Sequence, residues 1–375
     1  MTTVGRLAAM TLAGVLMSSA AWAGPKVVSG PGADPACFKP WSDKTKFLQW
    51  EKKPGPYKIA LVNGFVGNTW RIQMVKTAKA FSEQPGIKEN IKEFKVVSTG
   101  TDVAAQLGAM EDFINQGYDA IVTIAVAPDG FDRIIRLADK NNVVVVPFDN
   151  ILDTDKVMMV NEDQKEMGRM SAKFLLQEMG KTSGDILEVR GLPGNSVDRD
   201  RHLGFREVME AAPNKFNITE VVGNWDTGTS QKVTADALAV HGHFDGIFSQ
   251  GGDNGTVHAL MDAKHPFVPF AGEGENEFRA QIAEYSKDGL KGLSYGQSPA
   301  LVAIAMKAAI SALQGNAMPQ LISIPIPVAD YKTLKAGTNF WPELKDNFFA
   351  DNQFAPCGVD FRAPEIMSQS EANTK

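Results

Sequence analysis

Short apolar runs alternate with amphipathic segments between about residues 57 and 328, and this alternation constrains the fold more than any other feature. Runs such as Tyr57–Asn63 (YKIALVN) and 143–148 (VVVVPF) predict strands buried on both faces. Segments such as 103–116, with apolar residues at helical spacing, predict helices between the strands. About eleven such strands are more than one twisted open sheet usually holds. The sequence therefore predicts an α/β fold of two doubly wound parallel-sheet lobes, joined by strand-like hinge crossings.

The alternation also predicts how the chain divides. Hinge crossings are expected near 160–163, Gln297 and 326–328, so the chain would pass between the lobes three times. The predicted parts are an export signal at 1–23, an N-terminal extension at 24–56, a first lobe at 57–160 plus 298–326, a second lobe at 161–297 plus 327–340, and a C-terminal tail at 341–375.

The first 23 residues have the features of an export signal. Arg6 supplies a positive start, an apolar run follows at 7–15, and AWA at 21–23 matches the small-x-small cleavage pattern. A membrane anchor is the less favoured alternative, because the apolar run is shorter than the roughly 20 residues that a spanning helix needs. Cleavage would leave Gly24 at the new N-terminus, which disfavours a lipid anchor on cysteine. The sequence therefore predicts a protein exported to the periplasm.

The chain has two cysteines, Cys37 and Cys357, near opposite ends of the predicted mature chain. An oxidising compartment such as the periplasm favours disulfides. We therefore expect Cys37 and Cys357 to form a bond that ties the two ends together, with two unpaired thiols as the alternative. Neither cysteine lies near a histidine in the sequence, which disfavours a catalytic thiol.

The charge balance and the metal-binding residue types exclude several classes of function. A formal net charge of −6, from 38 basic and 44 acidic residues, disfavours a nucleic-acid partner held by a basic surface. Five histidines and two cysteines are too few and too scattered for a zinc finger or an iron–sulfur cluster. The pair His241 and His243 lacks a third ligand nearby and is more typical of a solvated loop. We expect no metal and no cofactor.

Polar and aromatic residues recur directly after the predicted strands, where ligands bind in open parallel sheets. Examples are GNTWR at 67–71 and GNWD at 223–226. Planar amide and carboxylate side chains hydrogen-bond vicinal hydroxyls in pairs, and arginine offers a rigid donor fork. Tryptophan faces cover the C–H face of a sugar ring. This combination favours a small neutral polyhydroxy ligand over a phosphate or a metal.

Seven segments together resemble the periplasmic sugar-binding proteins of ABC importers, of the ribose-binding type. The resemblance depends on the order and spacing of the segments and covers about residues 57–328. The segments are GNTWR at 67–71, GYDAIVTIAVAPDGF at 117–131, VVVVPFDN at 143–150, GLPGNSVDRDRHLGF at 191–205, FDGIFSQGGDNGTVHAL at 244–260, FAGEGE at 270–275 and LSYGQSP at 293–299.

The candidate ligand-binding residues come from the resemblance and from position after the strands. The resemblance implies Asn68, Trp70, Arg71, Arg199, Trp225, Asp253, Asn254, Glu273 and Gln297. Asp149 and Asn150 are added because they directly follow a predicted strand. The Trp70–Arg71 pair is similar to the branch of galactofuranose-binding proteins. Ala127 stands where the family usually has an aspartate, and a glycine replaces the asparagine of its "QND" turn, so the identity of the ligand stays open.

Each candidate also has a purely structural interpretation. Asn68 could serve only as a helix cap. Trp70 and Trp225 could be core aromatics, and Asp149-Asn150 could be an ordinary turn. Arg199 could belong to a surface ion network with its acidic and basic neighbours, which would contribute little.

The resemblance implies a monomer that closes its two lobes around a small sugar or polyol and delivers it to an ABC permease in the inner membrane. A sensory receptor that feeds a chemoreceptor or a sensor kinase is the alternative with the same cleft. An enzyme is disfavoured, because the sequence has no G-x-S-x-G elbow, HExxH or Walker loop. Asp253 and Glu273 remain a conceivable carboxylate pair for glycoside hydrolysis.

Overall fold

Two parallel sheets covered by helices form the centre of the computed structural model, which describes residues 24–213, 215–344 and 347–368. The predicted export signal at 1–23 lies outside the described residues. The strands are β1 (Lys26–Val28), β2 (Phe47–Gln49), β3 (Tyr57–Asn63), β4 (Ile91–Ser98), β5 (Ala120–Thr123), β6 (Val144–Pro147), β7 (Met159–Glu162), β8 (Ser183–Arg190), β9 (Lys215–Val222), β10 (Gly246–Ser249), β11 (Phe270–Glu273), β12 (Gly292–Tyr295), β13 (Met318–Pro319), β14 (Leu321–Ile324), β15 (Val328–Asp330), β16 (Gln353–Phe354) and β17 (Val359–Asp360).

Helices follow most of the strands of the two sheets, as the alternating pattern predicts. They are α1 (Thr69–Ser82), α2 (Val103–Asn115), α3 (Asp132–Lys140), α4 (Gln164–Met179), α5 (Ser196–Ala211), α6 (Thr227–His241), α7 (Asp253–Asp262), α8 (Asn276–Tyr285), α9 (Leu301–Leu313) and α10 (Ala363–Met367). The two helix-covered sheets confirm the predicted α/β fold with two doubly wound lobes.

The first lobe has a parallel sheet in the order β4-β3-β5-β6. Successive residues of a strand face opposite sides of the sheet. Ile59 and Leu61 of β3 therefore pack with α1 and α9, whereas Ala60 and Val62 pack with α2 and α3. Every residue of α9 except Lys307 is buried, because the helix lies between this sheet and the antiparallel sheet that β1 and β2 of the N-terminal extension form with β13.

The second lobe has the sheet order β9-β8-β10-β11-β12-β15, in which only β15 is antiparallel to its neighbour among the described strands. Helices α4 and α5 cover one face, and α6, α7 and α8 cover the other. Glycines let α4 and α5 touch: a methyl group on Gly204 would lie 1.9 Å from the carbonyl oxygen of Lys165, and one on Gly168 would lie 2.0 Å from that of Arg201. This close packing fixes the inner face of α5, which matters for the site.

The chain passes between the sheets at three places, after β7, after β12 and after β14. β7 pairs in parallel with β14, and Asp163 then caps α4 by accepting from the backbone N–H of Glu166. β7 occupies Met159–Glu162, where the sequence predicts a strand-like hinge crossing at 160–163. β14 ends at Ile324, and the chain then enters the second sheet as β15.

The two ends of the described chain meet on the first lobe. The disulfide Cys37–Cys357 is present, with its Cα atoms 4.6 Å apart, which confirms the predicted pairing. Helix α10, near the C-terminal end of the described residues, packs against α1. Within the described residues, no helix combines the length and the apolar character needed to cross a membrane.

Candidate functional site

A cavity of about 260 Å³ lies between the two lobes, at the carboxyl ends of their strands. Eight of the predicted residues contribute to its walls: Asn68, Trp70, Arg71, Asp149, Asn150, Trp225, Glu273 and Gln297. The cavity is also lined by Gly67, Thr69, Ile72, Val197, Asp226, Thr227, Glu275, Asn347 and Phe349.

The N-terminal end of α1, which follows the loop after β3, carries three of these side chains of the first lobe. Asn68 is the N-cap of α1, and its side-chain oxygen accepts from the backbone N–H of Arg71 at 3.0 Å. Its amide Nδ2 also donates to the carbonyl of Trp225 at 3.4 Å, so Asn68 both caps the helix and reaches the second lobe. The buried indole of Trp70 donates through Nε1 to the carbonyl of Gln297 at 2.9 Å, which fixes the ring at the cavity wall.

Arg71 is a buried cation beside the cavity. Its guanidinium donates to Oδ1 of Asn63 at 2.8 Å and lies over the ring of Phe65, 4.7 Å from the centroid. Burial lowers the pKa of Arg71 to about 10, while the nearby Asp149 acts in the opposite direction. Arg71 therefore stays protonated at neutral pH and presents a charged donor to the cavity.

Asp149 faces Arg71 from the turn after β6. Its backbone has φ +60°, a left-handed conformation that aspartate tolerates better than most residues. Burial raises the pKa of Asp149 to about 7, although Arg71 and Arg201 oppose this shift. The neighbouring Asn150 donates to the carbonyl of Ala125 at 3.2 Å and so holds the turn.

Trp225 supplies the aromatic surface of the second lobe. Asn224 and Trp225 both have left-handed backbone conformations, with φ of +55° and +57°. The ring packs on Gly191, where a Cβ atom would lie 2.2 Å from the ring carbon Cε2, so no larger residue fits there. The indole Nε1 of Trp225 is buried and has no hydrogen-bond partner in the structure.

Arg201, not Arg199, is the arginine that the second lobe turns inward. Its fully buried guanidinium donates to Oε1 of Gln164 at 2.9 Å and to the carbonyl of Gln250 at 3.0 Å. It also donates to Glu273, with which it forms a salt bridge, and to the side-chain oxygen of Gln297. These contacts set the positions of two cavity-lining side chains.

Arg199 lies away from the cavity lining, contrary to the expectation from the resemblance. Its guanidinium pairs with Asp153 of the first lobe at 2.6 Å and with Asp200 at 2.8 Å, and it is partly exposed. Residues two apart on a helix face different directions, since each residue advances about 100°. The sequence does carry a signal for Arg201, because Val197, Arg201 and Phe205 share one helical face that is buried.

Gln297 lies on the crossing after β12, and its side chain forms hydrogen bonds to both lobes. Its Nε2 donates to the Asp149 carboxylate, and its Oε1 accepts from Arg201. A charged group of each lobe is therefore held by one amide side chain between them.

Asp253 and Asn254 stand behind the cavity wall. Asp253 is fully buried, and its Oδ2 accepts from the backbone N–H of Glu273 at 2.6 Å. Asn254 donates to Glu277 at 2.8 Å and accepts from the hydroxyl of Thr227 at 3.0 Å. These two predicted residues position Glu273 and Thr227, and they are not among the lining residues.

The lining residues that sequence reasoning missed include Glu275 and the C-terminal pair Asn347 and Phe349. The Glu275 carboxylate accepts from the backbone N–H of Gly252 at 2.8 Å and from the side chain of Asn347 at 3.3 Å. Burial raises the pKa of Glu275 to about 7, and the nearby Glu273 adds to the rise. FAGEGE at 270–275 contains a second acid that could have been weighed, whereas nothing in the sequence marks Asn347 or Phe349.

Comparison with known proteins identifies the family of this chain. The sequence profile described as "Periplasmic binding protein domain" matches residues 59–317, more than half of the chain. The chain belongs to the periplasmic binding protein family. Members of this family are binding proteins. The matched region includes the strands of both central sheets except the first two residues of β3 and all of β15.

Individual relatives of this periplasmic binding protein agree with the profile. The ribose import binding protein RbsB of Bacillus subtilis is 24% identical over 294 residues, which cover 76% of this chain and 92% of the relative. The galactofuranose-binding protein YtfQ of Escherichia coli is 27% identical over 168 residues, covering 44% and 51%. A solved structure of the arabinose-binding component from Shewanella sp. ANA-3, bound to arabinofuranose, shares the fold with a TM-score of 0.65, 23% identity and coverage of 73% and 92%.

Proposed function

We propose that this protein is the solute-binding component of an ABC importer that captures a small sugar or related polyol between its two lobes. The observation that carries the proposal is the composition of the cavity. Two tryptophans, one from each lobe, line it together with amide, carboxylate and guanidinium groups. Its volume of about 260 Å³ is just below the usual range of about 300–1,000 Å³ for pockets that hold drug-sized ligands, which supports a ligand of monosaccharide size.

The hydrogen-bonding groups around the cavity suit hydroxyls in particular. Hydroxyls both donate and accept, so one ligand hydroxyl can join Arg71, which only donates, to the Asp149 carboxylate, which accepts. Bonds to charged groups are stronger than those between neutral groups. The relatives named for ribose and galactofuranose support the same ligand class.

Closure of the lobes supplies the mechanism. Asn68 of the first lobe contacts Trp225 of the second, and Arg199 pairs with Asp153 across the cleft, so the described arrangement is closed. A ligand that touches both walls binds this arrangement better than an open one and shifts the population toward it. The closed protein, exported to the periplasm as a monomer and without enzymatic activity, then delivers its ligand to the permease.

A thermal-shift panel tests the proposal directly. The mature chain, 24–375, is melted with D-ribose, D-allose, L-arabinose, D-galactose, D-fucose, xylitol and myo-inositol, and hits are titrated by calorimetry. Binding to the folded state alone stabilises it by about 2.7 kcal/mol at 100 times the dissociation constant, which raises the melting temperature. Unchanged melting with every compound would contradict the ligand class, and turnover of matching glycosides would contradict a pure binding protein.

A further inference from the structure

The segment 347–352, called the strap below, crosses from the second lobe to the first at the edge of the cavity. It lies beyond residue 317, where the match to the family profile ends. It therefore adds a connection between the lobes besides the three described above.

Backbone hydrogen bonds join the strap to the second lobe. The N–H of Asn276 donates to the carbonyl of Phe348 at 2.7 Å, and the N–H of Ala350 donates to the carbonyl of Gly274 at 2.8 Å. Phe349 and Glu275 form an antiparallel bridge between these bonds. The strap thus runs as a short strand beside the loop that carries Glu275.

One buried glutamine joins the same strap to the first lobe. Oε1 of Gln73 accepts from the backbone N–H of Phe349 at 2.8 Å, and its Nε2 donates to the Phe349 carbonyl at 2.9 Å. Gln73 belongs to α1, the helix that Asn68 caps and whose first turn contains Trp70. Alternate backbone groups of an extended segment point to opposite sides, which lets the strap bind both lobes at once.

Both ends of the strap are anchored. On the second-lobe side, Asn276 exchanges hydrogen bonds with the backbone of Trp341, at 2.7 Å and 3.1 Å. On the first-lobe side, Asn352 bonds to Thr77 at 3.2 Å, and the Cys37–Cys357 disulfide follows. A segment fixed at both ends and in its middle is a preorganised wall.

The strap faces the cavity with Asn347 and Phe349. The side chain of Asn347 donates to Glu275 and accepts from the backbone N–H of Glu277 at 3.1 Å, so it orients one cavity carboxylate. Phe349 lines the cavity, whereas its neighbour Phe348 packs against Trp341 with ring centroids 5.9 Å apart. Two adjacent phenylalanines thus have different surroundings.

We propose that the strap is a third wall of the binding site, which supplies Phe349 to the ligand and ties the two lobes together beside the cavity. The first half of this inference rests on the proposed function, since it requires a ligand in the cavity. The second half concerns the distance between the lobes and requires none.

The adjacent phenylalanines provide a matched test of the first half. Phe349→Leu and Phe348→Leu remove the same ring from neighbouring positions, and dissociation constants are measured for each sugar or polyol of the panel that binds the wild type. We expect Phe349→Leu to weaken binding about tenfold, equivalent to about 1.4 kcal/mol, and to change the order of preference among the compounds. Phe348→Leu should leave affinity within about twofold, although it lowers the melting temperature of the free protein. Equal effects of the two variants, or no effect of Phe349→Leu, would overturn the ligand-facing wall.

Two buried glutamines of the first lobe provide the test of the second half. Gln73→Leu cuts the strap from α1, whereas Gln106→Leu breaks equivalent bonds at 2.9 Å to the backbone of Ile124 and Val126 within the first lobe. Spin labels at K140C, on the first lobe, and V240C, on the second, report the interlobe distance, because both native cysteines are in the disulfide.

In the ligand-free protein, Gln73→Leu should broaden the distance distribution toward longer values, and Gln106→Leu should match the wild type. An unchanged distribution in Gln73→Leu, or equal broadening in both variants, would overturn the tie between the lobes. If the wild type binds none of the seven compounds, the ligand class proposed above fails, and this measurement alone decides whether the strap ties the lobes.

Discussion

The first-lobe and second-lobe walls of the cavity differ in how their side chains are placed. Asn68 caps α1 and Trp70 and Arg71 lie in its first turn, and all three line the cavity. On α5 of the second lobe, Arg201 is buried in the polar network while Arg199, two residues earlier, pairs at the outer edge of the cleft. The end of a helix that borders a cavity can present several consecutive residues to it, whereas farther along a helix residues two apart face different directions.

The largest expected effect comes from replacing the buried arginine. Arg201→Met leaves Glu273 buried without its cation, and such a loss typically costs about 3–5 kcal/mol of unfolding free energy. Urea denaturation measures the change. The double variant Arg201→Met/Glu273→Met should recover part of the loss, because both charges are then absent. A single variant as stable as the wild type would contradict the central place given to Arg201.

The pH dependence of stability compares one buried acid from each wall of the cavity, Asp149 of the first lobe and Glu275 of the second. The pKa of Asp149 is raised from 3.8 to about 7 in the folded protein, so between these values the folded state binds more protons than the unfolded state. The unfolding free energy should therefore fall as pH rises from about 4 to 7, by on the order of 3 kcal/mol for this group.

Urea denaturation across this pH range checks the expectation. Asp149→Asn should flatten the slope, and Glu275→Gln on the second wall should do so too, since its pKa is also raised to about 7. A wild-type slope in Asp149→Asn would show that Asp149 does not retain its proton on folding.

The two tryptophans should contribute to ligand binding from opposite sides. Trp70→Ala and Trp225→Ala each remove an aromatic surface of the cavity, and each should weaken binding by about 1–3 kcal/mol. Calorimetric titration with the panel compounds measures the loss. Trp70→Ala should also destabilise the free protein more than Trp225→Ala, because the Trp70 ring belongs to the buried core of the first lobe. Wild-type affinity in either variant would remove that ring from the site.

The smallest effect is expected for the outer arginine. Arg199 and Asp153 are both substantially exposed, so their ion pair should contribute no more than about 1 kcal/mol to stability. A double-mutant cycle with Arg199→Ala and Asp153→Ala measures the coupling, which should weaken in high salt. A coupling energy as large as the effect of Arg201→Met would mean that Arg199 and Arg201 contribute equally to stability.

The sequence predicts secondary-structure elements well where the buried residues recur at the spacing of a helix or a strand. β3 spans the predicted residues 57–63, and α2 spans 103–115 of the predicted 103–116, because apolar spacing and capping residues determine such elements locally. The sequence also predicts a crossing near 160–163, where β7 lies, but not the pairing of β7 with β14, because the two strands are far apart in the chain. Phe349 escaped prediction because its place depends on Gln73, 276 positions away in the chain. Side chains after strands can be found from sequence, whereas long-range partners cannot.

The burial of α9 has a consequence for the order in which the protein can form. The first lobe cannot complete its hydrophobic interior until residues 301–313 are present, since this helix contributes more buried residues to one cluster than any other described element. The second-lobe strands β8 to β12 are contiguous in the chain and precede α9. A polypeptide that emerges N-terminus first therefore exposes an unfinished first lobe while the second assembles.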